Sequence, residues 1–397
     1  MSYTEYNNLK NPNEVLSAMA DFFRKHNYNV LQDVTDDMNI YDRSSTDGKK
    51  LIVNDITRDY TLCFRSANGT NIFGSSNDSV MNSVAVDKDP SYYGIGFTIG
   101  EGYSSVQRWY NQYDVPTKLA IGANNKDVLG LWLPVPPSVP SADSTNKNNP
   151  GSTDDTNLTY TLFCNYISLP SNTVVFTLMR ENSYQMQVAH MAFGNVTKYE
   201  DWTGGIFMSA SANRYMMRNA YKCFSDVYGY DSNILPLFGT SDQETNTLVR
   251  IDIDDAPNQN RGTILWASSG ADNITGKRMC TPIRTSLNTN GKVPHYYYLQ
   301  SKSRLDSGMD VNTLNCIAVN LPIMFAVIVD PDILDLYAPI GLVNGVFFIS
   351  TLNVQTSHVY EMSYPESGNT CQVFPMNRRR GGRYGFDGVS IQQVEEG

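Results

Sequence analysis

The apolar residues of this chain come in short runs, each broken within roughly five to eight residues by Asn, Gly, Ser, Thr or Asp. A run of that length spans a strand but is too short for an ordinary buried helix, so the pattern alone confines most of the chain to strands and loops. The expected fold is mainly β (α+β), with antiparallel sheets in a β-sandwich-like arrangement and an N-terminal helix. The chain has 397 residues, enough to bury a substantial core in one large β-rich domain or a few smaller ones.

The helix is the exception to the strand pattern. Asn11, Pro12 and Asn13 offer a cap and a helix-compatible proline, and Val15, Leu16, Met19, Phe22 and Phe23 follow at helical spacing, predicting a helix to His26. Asn27, Tyr28 and Asn29 end it, Val30 and Leu31 open a strand, and polar residues 33–39 read as a turn. Strands are then expected at 51–53, 60–64, 92–99 and 128–133, with a turn-rich excursion at 107–113. Residues 160–167, 173–179 and 185–193 read as a β-meander. Further strands are expected at 248–253, 263–267, 317–329, 345–352 and 359–362, with a turn at 331–337. Pro134, Pro136, Pro137 and Pro140 precede a Ser/Asp/Asn/Thr stretch that has little apolar area to bury. The chain therefore divides into residues 1–133, a loop or linker at 134–157, and a β-rich part at 158–397 that ends in an arginine-rich segment. No internal repeat or heptad array is visible, which argues against an elongated fibre shaft.

Charged residues make up only 18% and tyrosines number 25, so much of the surface is neutral polar and aromatic, a composition suited to interfaces; tyrosine is equally a good strand residue. The net charge of −10 argues against a sequence-independent grip on phosphate, making nucleic acid an unlikely partner. Arg378, Arg379, Arg380 and Arg383 form a local positive cluster. An acidic neighbouring subunit is its expected complement.

Six widely spaced cysteines lack any C-x-x-C pair, and the default expectation is buried thiols, free of disulfides and metal. The first residues lack a basic segment followed by an apolar stretch, and no window approaches the roughly 18 apolar residues of a membrane helix, so folding in a cytoplasm is expected.

Little local chemistry is visible. His26, His190, His295 and His358 are far apart, and His190 lies in an apolar strand where a hydrogen-bonded packing role is expected. Gly94, Gly96, Gly100 and Gly102 fail the spacing of a phosphate loop and read as a strand. Asp252, Asp254 and Asp255 begin like a calcium loop, but Ala256 and Pro257 stand where an oxygen ligand and glycine are needed. A second acidic cluster, Asp33 with Asp36 and Asp37, carries no motif. The expectation is no enzyme, no cofactor and no metal; paired carboxylates brought together from separate strands would leave no local motif.

Three segments carry a resemblance. Residues 184–196, with Lys198, Tyr199 and 202–207, present a strand with an aromatic, a His and Phe193-Gly194, then a hydrophilic turn into Thr203-Gly204-Gly205 and an aromatic. Residues 371–375 and 384–391 form a closing segment around the arginines, and 22–30 the opening one. Together they resemble an uncharacterised tail/baseplate-type family of tailed-bacteriophage virion structural proteins. The resemblance implies a place in the virion, in the tail or baseplate first and in the neck, collar or decoration second. It further implies other phage structural proteins as partners, most simply with the chain as a homo-oligomer in a symmetric ring. Interface candidates are the four arginines with Trp202 and Phe207. Two rivals stand beside it: a receptor- or glycan-binding tail module using Tyr, Trp109, Trp132, Trp202 or Trp266, and a tail-associated hydrolase.

Overall fold

The computed structural model describes residues 2–32, 49–55, 60–68, 93–100, 120–121, 126–127, 131–135, 159–168, 172–180, 187–202, 204–213, 245–253, 263–265, 280–282, 320–328, 337–349, 359–363, 370–375 and 388–393. Most of these lie in antiparallel strands, and one helix lies near the N-terminus. In chain order the first elements are β1 (Ser2–Leu9), α1 (Pro12–Lys25), β2 (Asn29–Gln32), β3 (Lys50–Asp55), β4 (Tyr60–Asn68) and β5 (Tyr93–Gly100). Next come β6 (Ala120–Ile121), β7 (Lys126–Asp127), β8 (Leu131–Pro134), β9 (Tyr160–Ile167), β10 (Thr173–Arg180), β11 (Gln187–Asn195), β12 (Thr197–Lys198) and β13 (Gly204–Asn213). The remainder are β14 (Thr245–Ile253), β15 (Thr263–Leu265), β16 (Cys280–Pro282), β17 (Asn320–Ile328), β18 (Tyr337–Ile349), β19 (Tyr360–Ser363), β20 (Thr370–Pro375) and β21 (Gly388–Gln393).

A central antiparallel sheet has the order β1-β9-β10-β11-β13-β14-β15. One interior strand, β10, is buried at all eight positions, so both faces of the sheet are covered there. On the inner face lie α1 and a five-stranded sheet, β2-β3-β4-β5-β8. On the outer face lies a third sheet, β16-β17-β18-β21-β20-β19, with β12 also paired to β18. Phe374 of β20 meets Phe163 of β9 edge-on at 5.2 Å between ring centroids.

The helix forms where its cap and spacing predict. The Asn11 side chain accepts a 3.0 Å hydrogen bond from the Glu14 amide, Pro12 opens the first turn, and Arg24 and Lys25 close the last one. Asn27 then takes a left-handed conformation, φ 60°, and turns the chain into β2. The helical stripe buries Val15, Leu16, Met19, Phe22 and Phe23 completely. Phe23 sits among four rings, 5.1 Å from Tyr28, 5.6 Å from Phe64, 5.6 Å from Phe176 and 5.9 Å from Phe193. One apolar cluster runs from α1 through Leu51, Leu62, Phe97 and Leu133 to Leu162, Phe176 and Phe193. The residues before 134 and after 157 therefore build a common core.

The strands expected at 51–53, 60–64, 92–99, 160–167, 173–179, 248–253, 263–267, 317–329 and 359–362 coincide with elements to within a few residues, and Gly94, Gly96 and Gly100 lie in β5. β18 begins at Tyr337, eight residues before the expected start at Gly345. β1 falls where no element was anticipated. The readings at 33–39 and 107–113, and residues 136–157 of the expected loop or linker, lie outside the described residues.

Candidate functional site

Between β11 and β13 the chain leaves the central sheet, pairs for two residues with the outer sheet (Thr197 with Leu342, Lys198 with Gly341), and returns. Gly341 permits that approach, since a Cβ there would sit 2.6 Å from the Thr197 carbonyl oxygen. The excursion is closed at its base by the Val196 amide, which donates to the Gly205 carbonyl at 2.8 Å. Above that base, Lys198 Nζ donates to the Trp202 carbonyl at 2.5 Å and lies 4.7 Å from the centre of the indole. Gly205, φ +105°, leaves room for both side chains; a Cβ would come within 2.8 Å of Lys198 Cε.

The result is a held tip with an aromatic and acidic surface. Tyr199 is 48% exposed, Glu200 and Asp201 are exposed, and Trp202 is half-buried. Neither Glu200 nor Asp201 has an ion-pair partner among the described residues. Two carboxylates beside two aromatic rings suit a cationic or stacking partner, above all guanidinium groups.

Chemistry of the interior is of another kind. His190 is fully buried on the outer face of the central sheet, with Nδ1 2.8 Å from Thr177 Oγ1 and its ring 5.8 Å from Phe374. Burial lowers its pKa to about 3, so it is a neutral packing residue at ordinary pH. Cys63 and Cys164 are free and buried, and Cys371 is buried. Burial raises the Cys63 thiol to about 12 and Cys164 well above its usual value, which removes the thiolate that nucleophilic chemistry requires. Arg180, 2% exposed on the inner face, donates from Nη1 to Tyr160 Oη at 3.2 Å, and its guanidinium carbon lies 5.3 Å from that ring's centre. Near the surface, Tyr6 Oη donates to Asp21 at 2.5 Å and Lys25 Nζ lies 2.7 Å from the same carboxylate, joining β1 to α1. Burial works to raise the Asp21 carboxyl, but the hydrogen bonds from Lys25 and Tyr6 and the charges of Lys25 and Arg24 together hold it below its usual value.

Among the described residues no three His, Cys, Asp or Glu side chains come together as metal ligands, and no helix is long and apolar enough to cross a membrane. Of the interface candidates, Trp202 is at the surface and Phe207 is completely buried by its own chain, its area taken up inside the subunit. Arg378, Arg379, Arg380 and Arg383 lie outside the described residues, as do Trp109, Trp266, His295 and His358. Tyr199, Glu200 and Asp201 were not singled out as a surface by sequence reasoning; the signal was the run of charged and aromatic residues between two strands. In comparisons with known proteins, the chain matches no protein-family model, no curated protein and no solved structure.

Proposed function

We propose that this chain is a non-enzymatic structural component of a tailed-phage particle, of the tail or baseplate, acting through subunit–subunit contacts in a symmetric ring. The observation that carries the reading is where the segments of the resemblance fall in the fold. Residues 22–30 complete α1 and enter β2, 187–207 form the crossing from the central to the outer sheet, and 371–375 with 388–391 are the adjacent strands β20 and β21 that cover the central sheet. These are positions that hold layers together, and they supply a rigid frame with one acidic and aromatic tip on its surface. A frame of this sort suits a protein whose work is to present surfaces to neighbours.

A second reading is favoured by the tip itself: exposed Tyr199 and half-buried Trp202 beside carboxylates also suit a sugar, as in a receptor-binding module. Two measurements separate the readings. The chain's position and copy number in intact particles should give a multiple set by ring symmetry, whereas a chain missing from particles overturns the structural role. Purified protein should self-associate in sedimentation; a strictly monomeric chain that binds glycans favours the second reading.

A further inference from the structure

We propose that the inner layer, at the end where α1 begins, holds a binding site for a small oxyanion of phosphate size, gripped by the Arg180 guanidinium and the Asn11 side-chain amide. The site belongs to the single subunit and is independent of the ring reading above. Arg180 supplies the first observation. Its side chain is 2% exposed, yet among the described residues its polar contact is the 3.2 Å bond from Nη1 to Tyr160 Oη, and Nε has no partner. A guanidinium withdrawn from water is costly unless a negative charge stands beside it. Tyr160 does not supply that charge, since burial pushes its hydroxyl up to about 12. Asn11 supplies the second observation. It is 5% exposed, and its Oδ1 caps α1 by accepting from the Glu14 amide, while its Nδ2 has no partner among the described residues. That donor stands at the N-terminus of a 14-residue helix, where unpaired amides and aligned peptide dipoles favour an anion.

Topology brings the two groups to the same end of the layer. β1 runs along β9 from Tyr166 to Tyr160, with Leu9 against Tyr160, and Asn11 follows two residues later. α1 then runs back over the inner face: Phe22 packs 5.5 Å from Phe176, and His26, which caps the helix, packs 5.1 Å from Tyr166. The helix therefore begins at the Tyr160 end, and Tyr160 is the residue that Arg180 contacts. Glu14, the acid of the first turn, accepts from the Lys10 amide at 2.6 Å, and among the described residues no ion pair joins it to Arg180. A buried cation, a buried amide donor and the positive end of a helix thus gather with no described carboxylate to balance them. Two N–H groups of a guanidinium match two oxygens of a phosphate, which makes an oxyanion the ligand that satisfies all three. Lys10, next to Asn11, is exposed, so this end of the layer borders solvent.

Titration of the full-length chain with inorganic phosphate, at an ionic strength held constant with sodium chloride, tests this by calorimetry and by the urea midpoint. Wild type should bind one phosphate per chain saturably, and its midpoint should rise along the same curve. Arg180→Met should bind about tenfold more weakly or worse, while matching the stability of wild type in phosphate-free buffer. Asn11→Asp keeps an oxygen to cap α1 but puts a negative charge where the donor stood. It should weaken binding by about tenfold or more, with the helix retained by circular dichroism. If Arg180→Met does not fold, the Asn11→Asp result decides alone. A wild type that shows no saturable phosphate binding overturns the proposal. Undiminished binding by folded Arg180→Met or by Asn11→Asp places the phosphate elsewhere and also overturns it. A rise in midpoint shared equally by wild type and both variants is the general stabilisation that phosphate gives by exclusion from protein surfaces, and overturns it too.

Discussion

The two faces of the central sheet are both buried, yet they are built from different materials. The inner face packs Leu162, Val174, Phe176, Leu178, Met191 and Phe193 against α1 and the five-stranded sheet, and rings meet rings throughout. On the outer face Ile167, Val175 and Phe163 are interleaved with Asn165, Thr173, Thr177 and His190, all fully or almost fully buried. Gln372 reaches across from the outer sheet and donates to Tyr3 Oη at 2.9 Å. Asn165 Nδ2, Thr173 Oγ1 and Gln372 Oε1 find no partner there among the described residues. Burying such groups costs free energy that apolar side chains would not, so the inner face supplies stability while the outer face fixes how the third sheet docks.

Truncation on the inner face should have the largest effect. Phe23→Ala removes the ring at the centre of four others and should cost about 3–5 kcal/mol in urea unfolding at pH 7. A loss near 1 kcal/mol would mean that the cluster collapses around the gap and the contrast between faces is weaker than drawn.

The outer face should announce itself in acid. His190 titrates near 3 when folded and near its ordinary 6.5 when unfolded, so between those values the unfolded chain binds the extra proton. Its contribution is present in full above about 6.5 and is lost as pH falls toward 3, at about 1.4 kcal/mol per pH unit. His190→Asn keeps a polar partner for Thr177 and should flatten the stability profile over that range relative to wild type. Parallel profiles would remove the outer face as a source of acid sensitivity.

Two smaller effects sharpen the comparison. Asn11→Ala deletes the α1 cap and should cost about 1 kcal/mol, seen as a modest shift of the urea midpoint. Arg180→Met tests a charge buried on the inner face. Its Nε has no partner among the described residues, and a hydrophobic side chain of similar length should leave stability within about 1 kcal/mol of wild type or raise it. A loss of several kcal/mol would show that the charge is satisfied in a way its bond to Tyr160 does not explain.

The sequence made this division only half legible. α1 could be read because its cap, proline and apolar stripe are local, and β9 and β10 because their runs are dense in Leu, Val, Phe and Thr. β1 escaped because its tyrosines serve opposite faces, Tyr3 toward Gln372 and Tyr6 toward Asp21, so that no single apolar alternation appears. The early start of β18 was hidden by Pro339 and Gly341, residues that read as a turn and here lie opposite Ala326 and Phe325. For the site, the pattern around 202–207 did not carry exposure: Trp202 is at the surface and Phe207, five residues on, is sealed inside, a difference set by the crossing to β18.

The pairing of β1 with β9 sets a timetable for synthesis. Ser2 lies against Tyr166 and Leu9 against Tyr160, so β1 leaves the ribosome some 150 residues ahead of its only described neighbour in the sheet. At elongation rates of roughly 5–20 residues per second that gap lasts on the order of ten seconds or more, long enough for α1 and the strands of the five-stranded sheet to form first. Throughout that interval Tyr3 and Tyr6 have no β9 to lie on, and the nascent chain carries an unmatched strand edge past every other copy being made on the same message.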